Sequence, residues 1–213
     1  MDRSTILNKS VEYFKEKYPN PETELDYMDL FQITVAVILS AQCTDKRVNI
    51  ISKDLFKRFH NFEELASATQ DEVFGYIKSC TYPNNKSKNL IAMAKSVIEN
   101  FDGNIPNDVA LLQTIPGIGR KTANVIASVG FGQNTMAVDT HVFRVSQRIG
   151  LITKSKNPLE VEKKLVKLLP HNILSNFHHW LILHGRYVCQ ARKPKCLECG
   201  LQEVCIYKKN NNK

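Results

Sequence analysis

The chain has 213 residues, enough for one large or two small domains that bury a core without disulfides. Its 29 Lys and Arg against 21 Asp and Glu leave a formal charge of +8, which favours a polyanionic partner. The first eighteen residues are too charged for a signal peptide, and the longest apolar stretch, 33–39, is far too short to cross a bilayer. A cytoplasmic setting without a membrane is therefore expected, close to the nucleoid if the source is prokaryotic. In that reducing compartment the six cysteines read as ligands or core residues rather than a disulfide framework.

Apolar residues recur at helical spacing over 6–18, 29–40, 45–59, 70–78, 86–100, 108–114, 120–129, 140–149, 159–169 and 172–189. Strand-like alternation is hard to find, so the expected fold class is all-α. Breakers separate the helices: PNPET at 19–23, YPNN at 82–85, DGNIPND at 102–108, PGIG at 116–119 and FGQN at 131–134. The polar tail KKNNNK is expected to fray.

The segment 108–129 reads as a helix-hairpin-helix whose turn is Pro116, Gly117, Ile118, Gly119. Its glycines let the backbone bend sharply and approach a neighbour closely. The second helix then directs its N-terminal N–H groups and the positive end of its dipole outward, a seat for a phosphate oxygen, with Arg120 adding charge. Lys121, at the same junction, is placed either to hold a phosphate or to react.

Asp139, in front of THVFRVSQRI, has the position of a helix N-cap. His178, His179 and His184 lie on one apolar helix without a ligand pattern and read as core. Cys189, Cys196, Cys199 and Cys205 follow in the spacing C-x6-C-x2-C-x5-C. Four thiolates in so short a loop suit a [4Fe–4S] cluster or a tetrahedral zinc ion. Zinc modules use two close pairs and only Cys196–Cys199 is one, which favours the cluster. Arg186, Arg192, Lys193 and Lys195 make the same loop basic and suited to DNA phosphates. Cys43 and Cys80 read as ordinary buried or half-buried thiols.

Taken together, IPGIGRKTA at 115–123, VDTHVFR at 138–144, SAQCTD at 40–45, HHWLILHGRYVC at 178–189 and the cysteine spacing resemble the endonuclease III family of DNA glycosylase/lyases over nearly the whole chain. The resemblance implies a base-excision repair enzyme that removes oxidised pyrimidines from double-stranded DNA and then cleaves the abasic strand, acting as a monomer. It implies a six-helix barrel over 21–133 carrying the hairpin, an iron–sulfur domain made of 1–20 with 134–213, and a substrate site in the groove between them. The nearest rival is a mismatch glycosylase of the same superfamily, which lacks the lysine. A more distant one is a non-enzymatic iron–sulfur DNA-binding protein.

On this resemblance Lys121 is the nucleophile that attacks the sugar C1′, giving a Schiff base that opens the way to β-elimination. A free lysine amine is neutral in only about one molecule in 2,500 at pH 7, so such a site must strip its proton by burial and nearby positive charge. Arg120 and the helix N-terminus supply the charge. Asp139 matches the family's catalytic aspartate, a role compatible with capping. Gln42 and Tyr82 match the positions that fill the gap left by an extruded nucleotide. Their plainer readings are a polar helix-end residue and a turn aromatic packed on its own domain. The sequence departs from the family pattern here, with Tyr82 at an aliphatic wedge position and Pro83 in place of an aromatic.

Overall fold

Twelve short α-helices make up the described chain, and what closes their ends explains where each one starts. The computed structural model describes residues 2–152 and 154–211. Among these residues no strand occurs, and eight helices begin at a side chain that accepts a hydrogen bond from the first turn.

Asp2 caps α1 (Arg3–Lys17), Asp29 caps α2 (Leu30–Ser40) and Thr44 caps α3 (Asp45–Arg58). Asn61 caps α4 (Phe62–Ser67) and Thr69 caps α5 (Gln70–Ile77). Then come α6 (Pro83–Phe101), α7 (Val109–Leu112), capped by Asp108, and α8 (Arg120–Phe131). Asp139 caps α9 (Thr140–Ile149) and Asn157 caps α10 (Pro158–Leu168). A 3-10 turn at His171–Ile173 leads into α11 (Leu174–Tyr187), a second at Cys196–Glu198 sits in the cysteine loop, and α12 (Ile206–Asn210) follows.

Three local expectations need correction. Residues 62–67 form a helix that periodicity did not single out, because Asn61 caps it and Phe62 and Leu65 bury its inner face. YPNN is not a turn: Pro83 takes the first helical position, where its missing N–H costs nothing, and only Tyr82 stays outside α6. The tail KKNNNK begins as helix, its Lys208–Asn210 portion belonging to α12, and Ile206 at the start of α12 packs on Gly150. Asn212 and Lys213 lie outside the described residues.

The chain divides into two compact units, Met1–Thr23 with Asn134–Lys213, and Glu24–Gln133. In the second, α2 is buried on every side from Phe31 to Leu39, so it serves as the axis on which α3, α6 and α8 pack. Leu55, Phe59, Leu65, Ile77 and Met93 are fully buried around it.

In the first unit, Phe14 of α1 is fully buried against Phe177 and Trp180 of α11, with ring centroids 5.7 and 6.0 Å apart. Trp180 Nε1 donates to the Tyr18 carbonyl at 2.8 Å. An N-terminal helix and a segment some 160 residues later thus share one core, each buried aromatic contributing roughly 1.5–3 kcal/mol. His178, His179 and His184 are buried in this unit, as expected.

His179 generates a test. Burial first, and the Arg186 charge second, push its imidazole down to about 4. The folded state therefore holds it neutral while the unfolded chain takes up a proton below about 6.5, so stability is full above that pH and is lost as pH falls towards 4. At pH 4.5 most of that contribution, on the order of a few kcal/mol, is gone. The urea midpoint measured at pH 7 and 4.5 should fall more for the native chain than for His179→Gln; an equal fall in both would show that another group drives it.

Candidate functional site

The hairpin is built by two buried isoleucines. Ile115 and Ile118 are 2% and 3% exposed and fix the turn to the core of the 24–133 unit, leaving Pro116, Gly117 and Gly119 between and beside them exposed. The Ile118 N–H donates to the Ile115 carbonyl at 3.1 Å, closing a four-residue turn with Pro116 at its second position and Gly117, φ +81°, at its third. That is the pattern of a type II turn, which requires a residue tolerant of positive φ. A Cβ on Gly117 would also lie 3.1 Å from Asn89 Cβ.

Before the turn, Asp108 accepts from the N–H groups of Ala110 and Leu111 at 2.7 and 2.8 Å and closes α7. After it, α8 begins at Gly119 with no side-chain cap. The two helices of the hairpin thus differ at their starts: one is sealed by the chain itself, the other presents its N-terminus at an exposed glycine. Arg120 and Lys121 are exposed on that first turn. Lys121 is thus at the expected junction, but the burial that its chemistry calls for is not provided by this unit of the chain.

The same unit brings Gln42 and Tyr82 to neighbouring loops, where the Thr81 hydroxyl donates to the Gln42 carbonyl at 2.5 Å. Both residues are exposed and both have positive φ, +55° and +54°. With Tyr82 59% exposed, packing of the aromatic into its own domain is not what holds it there.

In the other unit, Asp139 Oδ1 accepts from the Val142 N–H at 2.8 Å, so the carboxylate is held on the first turn of α9. The four cysteines of the C-terminal loop line one cavity, walled by Ile149, Val188 and Leu201. Among the described residues no three ligand-type side chains close on a single ion position; the four thiols are arrayed around a space.

Burial and the other three thiols push Cys199 up to about 11, and burial raises Cys205 as well. Such a set ionises together only around a strongly positive centre, and the Leu201 N–H already donates to Cys199 Sγ at 3.4 Å. The donor set fits an iron–sulfur cluster. His184 Nε2 lies 3.7 Å from Cys199 Sγ, beside the ligands rather than among them.

Two residues that sequence reasoning missed hold this loop. Arg148 donates to the carbonyls of Gln190 (2.7 Å) and Ala191 (3.0 Å) and lies 4.4 Å over the Tyr207 ring. Arg144, one turn earlier on α9, donates to the carbonyls of Gly185 (2.9 Å) and Cys189 (3.2 Å). They leave Arg192, Lys193 and Lys195 exposed on the loop. Apart from their spacing of four on one helix face, no local signal gives these contacts away, since the carbonyls they hold in this loop lie more than forty residues along the chain.

Comparison with known proteins matches residues 35–171 to the HhH-GPD superfamily of base excision DNA repair proteins and residues 189–205 to the iron–sulfur binding domain of endonuclease III. Endonuclease III of Rickettsia felis is 47% identical over 205 residues, covering 96% of this chain and 96% of that protein. Endonuclease III of Rickettsia conorii is 48% identical over 205 residues, covering 96% and 97%. The structure of a trapped endonuclease III–DNA covalent intermediate, an estranged-adenine complex, superposes with a TM-score of 0.94 at 37% identity, over 99% of this chain and 98% of that one.

The turn geometry predicts that Gly117→Ala lowers stability by about 1–2 kcal/mol, since alanine must take a left-handed backbone and press on Asn89. Chemical denaturation reads this directly. Gly119→Ala, whose Cβ meets nothing within 4 Å, should cost clearly less.

Proposed function

Because the chain belongs to the endonuclease III family, a base-excision DNA glycosylase that also cleaves the abasic strand and carries an iron–sulfur cluster, we propose that Lys121 is its nucleophile and Asp139 the carboxylate that assists it. The observation that carries this reading is Lys121 exposed on the first turn of α8, beside a helix N-terminus that no side chain caps. Membership removes the two rivals, the mismatch glycosylase and the non-enzymatic binder.

Double-stranded DNA with oxidised pyrimidines or abasic sites is the substrate, and its phosphate sits on the hairpin at Pro116, Gly117, Gly119 and Arg120. Lys121 Nζ attacks C1′, the bond to the base breaks, and the base leaves with a proton. Breaking the C1′–O4′ bond of this aminal, with a proton to O4′, opens the sugar to an imine that acidifies the C2′ hydrogens, and loss of one with the 3′ phosphate cuts the strand. Asp139 stabilises positive charge on the sugar while the base departs, and its bond to the Val142 N–H keeps the carboxylate from swinging away. Since Lys121 is exposed, the desolvation that frees its amine comes with the DNA.

Gln42 and Tyr82 fill the gap in the duplex. Arg192, Lys193 and Lys195 meet phosphates from the cysteine loop. Cys189, Cys196, Cys199 and Cys205 hold the cluster, which when bound supplies the positive centre that lets four half-buried thiolates share one cavity. The protein works as a monomer in the cytoplasm. No helix among the described residues is long and apolar enough to cross a membrane.

Borohydride added during turnover should leave a covalent protein–DNA adduct, seen as a shifted band, and Lys121→Gln should abolish the adduct and the strand cut while binding survives. A variant that still traps DNA at the native rate would pass the role of nucleophile to another amine. Asp139→Asn should slow release of an intact lesion by about 10²-fold or more and affect a pre-formed abasic site less. Purified protein should be yellow-brown, and Cys199→Ser should bleach it and lower thermal stability. A colourless, zinc-loaded, equally stable native protein would overturn the cluster assignment.

A further inference from the structure

A buried ammonium contacts the chain close to both residues assigned to the gap. Lys86, on the first turn of α6, is 6% exposed. Its Nζ donates to the carbonyls of Leu39 and Ala41, each at 2.7 Å, and lies 3.1 Å from Cys80 Sγ. A lysine ammonium has three donors, and here each has an acceptor.

Leu39 and Ala41 belong to the end of α2, where a helix leaves its last carbonyls unpaired and its dipole is negative, so a buried cation is suited to that place. The residue after Ala41 is Gln42, and the residue before Pro83, which opens α6, is Tyr82. Among the described residues four non-glycine residues have positive φ, and these are two of them. Neither is of a type that relieves such a backbone by local hydrogen bonding, so the surroundings must impose it. The surroundings in question are the Lys86 contacts on one side and the Thr81 hydroxyl on the Gln42 carbonyl on the other.

We propose that Lys86 is a positioning residue for excision from duplex DNA: it ties the end of α2 to the start of α6 and, with Thr81, holds Gln42 and Tyr82 in the strained backbone arrangement that presents both side chains to the gap. The proposal rests on the reading that those two residues fill the gap. It also explains why a charged residue is buried here. A glutamine or methionine at 86 cannot serve both carbonyls and the thiol at once, whereas the ammonium does so from a single atom.

The test compares two substrates in single-turnover assays: a duplex carrying one oxidised pyrimidine, and a single strand carrying a pre-formed abasic site, which has no gap to fill. Lys86→Gln should slow the duplex reaction at least about tenfold and the single-strand reaction less than about threefold, and Thr81→Val should shift the ratio in the same direction by several-fold. Adding Lys86→Gln to a Gln42→Ala, Tyr82→Ala double variant should cause little further loss on the duplex, because Lys86 acts through those side chains. Equal losses on both substrates, or a full additional loss in the triple variant, would reduce Lys86 to a purely structural role. If Lys86→Gln does not fold, Thr81→Val with the native ratio of the two rates overturns the proposal. A double variant that excises the duplex lesion at the native rate would sink the gap-filling reading itself, whereas a crippled double variant beside an unaffected Lys86→Gln would sink this proposal alone.

Discussion

A chain made of short helices has many helix ends, and each end carries N–H or C=O groups that no intrahelical bond can satisfy. Most of this structure can be understood as the ways those groups are answered. Asp, Asn and Thr side chains close eight N-termini. Lys86 answers the carbonyls at the end of α2, and Arg144 and Arg148 answer carbonyls at the end of α11 and in the loop beyond it. The helix start that carries the proposed nucleophile, that of α8, has no side-chain cap. The starts of α6, α11 and α12 also lack a side-chain cap, so what sets the proposed DNA seat apart is the exposed glycine turn that leads into α8.

The two units use this constraint differently. In the 24–133 unit the apolar axis α2 is surrounded, and the loops that follow its end are pinned by a buried cation, so exposed side chains can be held in a strained backbone. In the other unit the apolar core is assembled from both termini, and two arginines on one face of α9 anchor a loop rich in cysteine and lysine. Asp139 joins both themes, since the bond that starts α9 also restrains the carboxylate.

The sequence carried the elements whose signals are local. Helical spacing, the Pro-Gly turn and the cysteine spacing are each contained within about twenty residues, and the structure contains the helices, the turn and the shared cavity. The position of Asp139 before α9 likewise announced a cap. What could not be seen was every partner separated by a long stretch of chain. Nothing near Lys86 tells that its ammonium meets carbonyls some 47 residues earlier, and nothing near Arg148 tells that its partners are 42 and 43 residues later. At YPNN the local signal is ambiguous, because Asn and Pro favour turns and helix starts alike, and only the helical run behind them settles which. Lys121 shows the opposite limit: its place was legible, but its exposure was not, because burial belongs to the assembled surface.

Because Phe14 and Trp180 meet in one core, the order in which the ribosome delivers the chain matters. The first helix emerges early but must wait, its apolar face unmatched, until more than 150 further residues have been translated. The 24–133 unit, complete within a continuous stretch, can fold in that interval. All four cysteines of the loop follow this unit in the chain, so the ligand set is complete only some time after the 24–133 unit has been made. A chain interrupted just after residue 133 therefore holds α1 without the α11 residues that bury Phe14, and none of the four thiols.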